Sequence, residues 1–204
     1  MKILMLASSL PLYAGEPTAP FIEEIAAGVA ARGHQVTLLA PWHPALRRGA
    51  RSQGHTYQLH TIRPLPAGQV WGYAQAPEER GVRLRFFRYA PHPALNVWGY
   101  AQALVSDTKL KGRALAVTPL ALAASCGALL RELNGETRYD IVHAHWALPN
   151  GPPAALAAAI AGLPLVVSLH GSDIYVAEQG WPFALAAAAA FRCAGAITAC
   201  SGDL

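Results

Sequence analysis

The sequence predicts an α/β fold, a parallel sheet flanked by helices, and three observations predict it. Short apolar runs of buried-strand length alternate with longer runs whose apolar residues recur at helical spacing. Alanine-rich runs at 154–161 and 184–190 suit helices packed closely on a sheet. Hydrophobic residues make up 53% of the chain and charged residues 14%, which excludes disorder and points to a well-packed interior. The 204 residues suffice for one large domain, or at most two small ones, with enough chain to bury a core.

The elements follow in order. Lys2–Ala7 is a compact apolar strand. Thr18 can cap a helix that carries Pro20 in its first turn, where a missing N–H costs little. Phe21, Ile22, Ile25 and Val29 recur at helical spacing, and Gly33 closes the helix. Gln35–Ala40 is the second strand, so a right-handed β-α-β unit opens the chain. From about 41 to 98 proline, glycine and arginine are frequent, and strands are expected at Thr56–Ile62 and Val82–Tyr89. Trp71-Gly72-Tyr73-Ala74-Gln75-Ala76 recurs as Trp98-Gly99-Tyr100-Ala101-Gln102-Ala103, one duplicated hexamer and too little for a solenoid. Regular alternation returns with a helix at Arg113–Leu133, a strand at Ile141–His145 and a helix at Pro153–Ala161. A strand at Leu165–Leu169, a helix at Pro182–Ala194 and a short buried strand at Ala196–Cys200 complete the order. Ser201 is then a good N-cap for a further helix, so the chain is expected to be half of a larger protein.

Charge and cysteine usage bound the partners. The balance is +4, with basic residues at Arg47, Arg48 and Arg51, at Arg83, Arg85 and Arg88, and at Lys109, Lys111 and Arg113. Two readings stand: solvated loops and strand edges, or attraction to a phosphate-bearing substrate or an anionic membrane surface. Nucleic acid is disfavoured, because no aromatic stacking platform is interleaved with the basic residues. Cys126, Cys193 and Cys200 read as reduced, buried core residues of a cytosolic protein. The apolar run at Ile3–Ala7 is too short for a secretory signal. The longest apolar stretch, Ala114–Leu130, falls short of the roughly 20 residues that span a bilayer and reads as a buried or surface-docked helix.

In an open parallel sheet, ligands bind outside the carboxyl ends of the strands. Those ends carry Ser8-Ser9, then His143 and His145, then His170-Gly171-Ser172-Asp173, then Ser201-Gly202-Asp203. The first loop, through Gly15 and Glu16, is either an ordinary connection or one whose Gly15 lets a diphosphate approach the helix behind it. No GxGxxG opens that helix, so NAD and FAD are disfavoured. His143 and His145 share one strand face; they are structural, ligand-contacting, or two zinc ligands awaiting a third and fourth. His170, followed by glycine, is placed to donate to a substrate hydroxyl or act as a base. Asp173 can orient His170, cap a helix or bind a sugar hydroxyl.

At these residues the chain resembles the N-terminal domain of family 4 glycosyltransferases. The matching blocks are Lys2–Leu6, the loop through Gly15, Ala19–Glu24, Ala31–Thr37, Tyr139–Trp146, Leu163–Asp173 and Ile197–Ser201. The resemblance runs the length of the chain and is loose between about 44 and 138. It implies a GT-B architecture, two Rossmann-like domains facing across a cleft. Residues 1–204 would be the acceptor-side domain, and the nucleotide-sugar domain would lie beyond them. It further implies a retaining transfer that needs no metal and no cofactor, the nucleotide-sugar being a substrate. The acceptor would be a glycan, a lipid-linked molecule or a small molecule. By carry-over His170 and Asp173 are the catalytic candidates, and Ser9, Gly15, Glu16, His145, Gly171 and Ser201 the substrate-binding ones. Many relatives have a Gly-Gly pair where this chain has Ala14-Gly15-Glu16, and the Glu16 carboxylate must point away from a diphosphate. The basic pair and two-glutamate motif that hold the donor belong to the other half, so residues 1–204 alone are expected to be inactive. A cytoplasmic location is expected, with peripheral contact at the inner membrane face for a lipid-linked acceptor. A non-catalytic binding module of the same fold, a metal-dependent hydrolase using His143 and His145, and a nucleotide-sugar epimerase are the alternatives.

Overall fold

A computed structural model describes residues 1–11, 19–42, 73–75, 82–88, 90, 92, 95, 97–98, 104–105, 109–110 and 112–202. The elements are β1 (Lys2–Leu6), α1 (Pro20–Ala30), β2 (Gln35–Pro41), β3 (Tyr73–Gln75), β4 (Val82–Phe87), β5 (Leu104–Val105) and β6 (Lys109–Leu110). They continue with α2 (Gly112–Leu133), β7 (Ile141–His145), α3 (Gly151–Ala161), β8 (Leu165–Leu169), α4 (Ser172–Ala177), α5 (Trp181–Cys193) and β9 (Ala196–Ala199). The main sheet has the order β3-β4-β2-β1-β7-β8-β9. Six of its strands are parallel, and β3 lies antiparallel on the edge beside β4. The expected α/β, Rossmann-like class is the one observed.

Alternation along β1 builds two layers. Leu4 and Leu6 join Val142, Ala144, Val167 and the α2–α3 side chains Ala124, Ala128 and Ala157. Ile3 and Met5 point the other way, onto Ile22, Ala26 and Ala27 of α1. Both faces are covered, which is why the central strands are mostly apolar, with polar exceptions at Thr37, His143, His145 and Ser168. The β1–β2 unit grows the sheet in one direction, and β7, paired on the other side of β1, begins growth in the other. That reversal opens a crevice at the carboxyl ends of β1 and β7, the position where such sheets bind ligands.

Several expectations change in the structure. The N-cap of α1 is Ala19, in the left-handed region at φ 52° and without a side-chain cap; Thr18 lies outside the described residues. Gly33 does follow the helix at φ 84°, its N–H donating to the Ala30 carbonyl at 2.9 Å. The strand expected at Thr56–Ile62 lies outside the described residues, and the one at Val82–Tyr89 ends at Phe87. The six-residue α4 is too short to show a period and was not anticipated.

The final strand is exposed along its length, because β9 is the sheet edge. Cys193 and Cys200 are exposed with it, and Cys126 is half-buried, its thiol pushed up by burial. The long helix also differs from expectation: Ala114–Leu133 is 20 residues, long and apolar enough to cross a membrane by length and composition. Its place in the fold is against the sheet, where Ala121, Ala124, Ala128 and Leu129 enter the core. Trp98, from the second copy of the hexamer, is buried against this helix; its Nε1–H reaches the Ala114 carbonyl and Thr118 Oγ1, both at 2.9 Å. These contacts brace the turn just before Pro119, whose ring leaves a gap in the helical ladder.

Candidate functional site

Three strand ends converge on the crevice. The chain leaves β1 through Ser8 and Ser9, both buried. It leaves β7 through Trp146, whose φ of 67° turns the backbone sharply while its N–H donates to the Ser168 carbonyl at 2.8 Å. It leaves β8 through His170 and Gly171; the φ of 93° at Gly171 is one that L side chains rarely adopt. A Cβ at Gly171 would meet open space, so the glycine answers a backbone need and not crowding by protein atoms.

Two side chains lock these loops together. Asn150 Nδ2 donates to Ser8 Oγ at 2.8 Å and to the His145 carbonyl at 2.7 Å, tying the first strand's exit to the middle strand. Asp173, 1% exposed, accepts the Ala147 N–H at 2.7 Å and the His170 N–H at 3.2 Å. Both its oxygens are spent on backbone amides. The Asp173 carboxylate is closed off from solvent and ties the His170 backbone amide to the start of the loop after β7.

Three histidines line the crevice floor. His143 Nε2 lies 2.7 Å from Ser168 Oγ, which lies 2.6 Å from Thr198 Oγ1, a polar line running across β7, β8 and β9. The His143 and His145 rings are 4.3 Å apart, as the same-face spacing of i and i+2 requires. His145 Nδ1 and His170 Nε2 are hydrogen-bonded at 3.1 Å, with the rings stacked at 21°. His170 is half-buried and framed by aromatic rings: Phe21 at 4.7 Å and Trp146 at 4.9 Å between centroids.

Burial governs the charge of this cluster. It pushes the His143 imidazole down to about 4, and the neighbouring His170 adds to the effect. His145, fully buried, is held well below the usual histidine range by burial and then by its two histidine neighbours. His170 is lowered by burial, with Asp173 pulling the other way. All three rings are neutral at neutral pH, so each offers one N–H and one lone pair and none contributes a positive charge. Among the described residues no group of three or more His, Cys, Asp or Glu is arranged to hold a metal ion. Among the described residues, the Arg88 guanidinium just after β4 stacks over the Trp42 ring at 4.1 Å. Arg85 instead pairs with Glu132 at 3.6 Å.

The structure thus brings together His145, His170, Gly171 and Asp173, with Ser9 at the neighbouring strand end. Ser201 is exposed, one strand over, after β9. Gly15 and Glu16 lie outside the described residues. Sequence reasoning missed Asn150 and the roles of Phe21 and Trp146. Phe21 shares the helical spacing of Ile22 and Ile25 and so resembled a core residue, yet it is 39% exposed and lies on His170. For Asn150, its place just before Gly151-Pro152-Pro153, five residues past His145, was the available signal.

The fold and site are those of a doubly wound α/β domain with a cluster of neutral histidines at its switch point, the place where such sheets bind ligands. The chain belongs to the glycosyl transferase 4-like domain family, whose model matches residues 18–204. It is also similar to a putative teichuronic acid biosynthesis glycosyltransferase, TuaC, of Bacillus subtilis (strain 168), at 42% identity over 50 residues. That match covers 24% of this chain and 13% of the relative.

Proposed function

We propose that this chain is the acceptor-side domain of a retaining, metal-independent glycosyltransferase that moves a sugar from a nucleotide-sugar to a glycan, lipid-linked or small-molecule acceptor. The observation that carries the reading is His170: a neutral, half-buried imidazole at the switch-point rim, oriented from behind by Asp173 and His145 and walled by Phe21 and Trp146. Such a ring suits a sugar. A neutral imidazole exchanges hydrogen bonds with hydroxyls, and the aromatic faces accept the apolar face of a pyranose. It is poorly suited to a diphosphate, since the histidines carry no charge to set against it.

Catalysis by transfer requires that charge to be supplied. The departing nucleoside diphosphate needs fixed cationic or N–H donors at its oxygens, and these belong to the nucleotide-sugar domain in this reading. This chain's own part is to hold the reacting sugar or acceptor hydroxyl in line and to keep water from the floor of the crevice. Ser9, Gly171 and Ser201 border the proposed binding surface, and Gly15 and Glu16 stay with it as residues of the first loop. No cofactor is needed beyond the nucleotide-sugar substrate. A cytoplasmic setting and peripheral contact at the membrane's inner face belong to the same proposal where the acceptor is lipid-linked.

The test is His170→Ala in a protein carrying both domains, assayed by sugar transfer. Turnover should fall at least about tenfold, and an unchanged rate removes His170 from the reaction centre and with it the reading.

A further inference from the structure

We infer that His145 is a positioning residue that fixes the tautomer of His170, so that His170 offers an Nδ1–H donor, and only a donor, to whatever occupies the crevice. The inference rests on the proposed reading of His170 as a ligand contact for its consequence, and on geometry for its substance. One hydrogen bond joins His145 Nδ1 to His170 Nε2 at 3.1 Å. Two neutral rings can make that bond in two ways. Either His145 donates from Nδ1 to a bare His170 Nε2, or His170 donates from Nε2 to a bare His145 Nδ1.

The other nitrogen of His145 decides between them. His145 is fully buried, and its Nε2 has no hydrogen-bond partner among the described residues. If His170 were the donor, the remaining proton of His145 would sit on that Nε2 and be an orphaned, buried N–H. If His145 is the donor, Nε2 is a bare lone pair. Buried orphaned N–H groups are the rarer and costlier case. The cluster therefore settles with His145 protonated at Nδ1 and His170 accepting at Nε2. A neutral imidazole holds one proton, so that of His170 is on Nδ1, an atom to which no described residue is hydrogen-bonded.

The consequence is chemical specificity. A ring fixed as an Nδ1–H donor pairs with an acceptor oxygen, such as a sugar hydroxyl oxygen. It cannot serve as the base that takes a proton from an acceptor hydroxyl, because its only lone pair is occupied by His145. The same ring would be free to reorient its proton if His145 were apolar.

Long-range 1H–15N NMR of the histidine rings in this chain, at neutral pH, reads each tautomer directly. Protons on Nδ1 of both His145 and His170 are the expected result; a proton on His170 Nε2 overturns the inference. His145→Asn places an amide N–H near the position of the lost Nδ1 and should leave His170 in its Nδ1–H form. His145→Leu removes the donor and should shift His170 toward Nε2–H. An unchanged His170 spectrum in a folded His145→Leu protein overturns the inference as well, and the wild-type and Asn spectra decide the matter should the Leu variant fail to fold. In the two-domain protein, kcat should fall at least about fivefold for Leu and stay within about twofold for Asn. If the tautomers are as stated but His170→Ala leaves turnover unchanged, the proposed function fails while the tautomer assignment stands.

Discussion

Acid should loosen this fold through His143, by an amount the structure allows to be worked out. The ordinary value of a histidine is 6.5, and burial holds this one at about 4 in the folded chain, so the unfolded chain binds a proton across an interval in which the folded chain does not. Stability rises with pH wherever the unfolded state holds more protons, so it falls as the pH drops through that interval. The contribution is intact above about pH 6.5, erodes below it and levels off near pH 4, where the folded ring also takes up its proton. Each unit of difference is worth about 1.4 kcal/mol, which sets a ceiling of roughly 3 kcal/mol and a loss of about 2 kcal/mol by about pH 5. His145 is held down in the same direction and adds to the fall.

The assay is urea unfolding, followed by circular dichroism, at several pH values between about 8 and 4, on the wild type and on His143→Gln. Glutamine keeps an N–H near Ser168 Oγ and cannot titrate, so carboxylate effects common to both proteins cancel. For a chain of this size, about 2 kcal/mol corresponds to a urea midpoint lower by about 1 M. The wild type should therefore lose about 1 M more than the variant on going to about pH 5. Equal losses in the two proteins would show that His143 is not held neutral by the fold.

Two further predictions concern the scaffold around the site. Asp173→Ala leaves the Ala147 and His170 amides without their acceptor, so thermal melting should show a loss of about 2–4 kcal/mol; an effect below about 0.5 kcal/mol would mean that water replaces the carboxylate readily. At Gly151 an added Cβ would lie 2.7 Å from Ala190 Cβ, where α3 meets α5. Gly151→Ala should cost about 1–3 kcal/mol, with much of it recovered in the Gly151→Ala/Ala190→Gly double variant. Additive losses in that pair would place the cost elsewhere.

How much of this could be read from the chain varies element by element. β7 and β8 lie where the apolar runs at Ile141–His145 and Leu165–Leu169 predict them, because a strand buried on both faces needs a continuous apolar run. β9 is equally apolar and proved exposed, because composition reports an affinity for the interior and not a place in the sheet. Cys193 and Cys200 misled for the same reason. The helix at α2 was legible in extent, while its length against a membrane and its berth on the sheet are matters of boundary and packing.

The sequence by itself determined the α/β alternation and the set of polar residues at the strand ends, since both follow from periods of a few residues and from strand direction. Only the tertiary structure decided which of those residues face one another. Asn150 and Ser8 are 142 positions apart, and His145 and His170 are 25. Their meeting depends on the strand order β2-β1-β7-β8, which no local pattern encodes. The neutrality of the histidines was likewise invisible in the chain, because it comes from burial, and burial is a property of the packed whole.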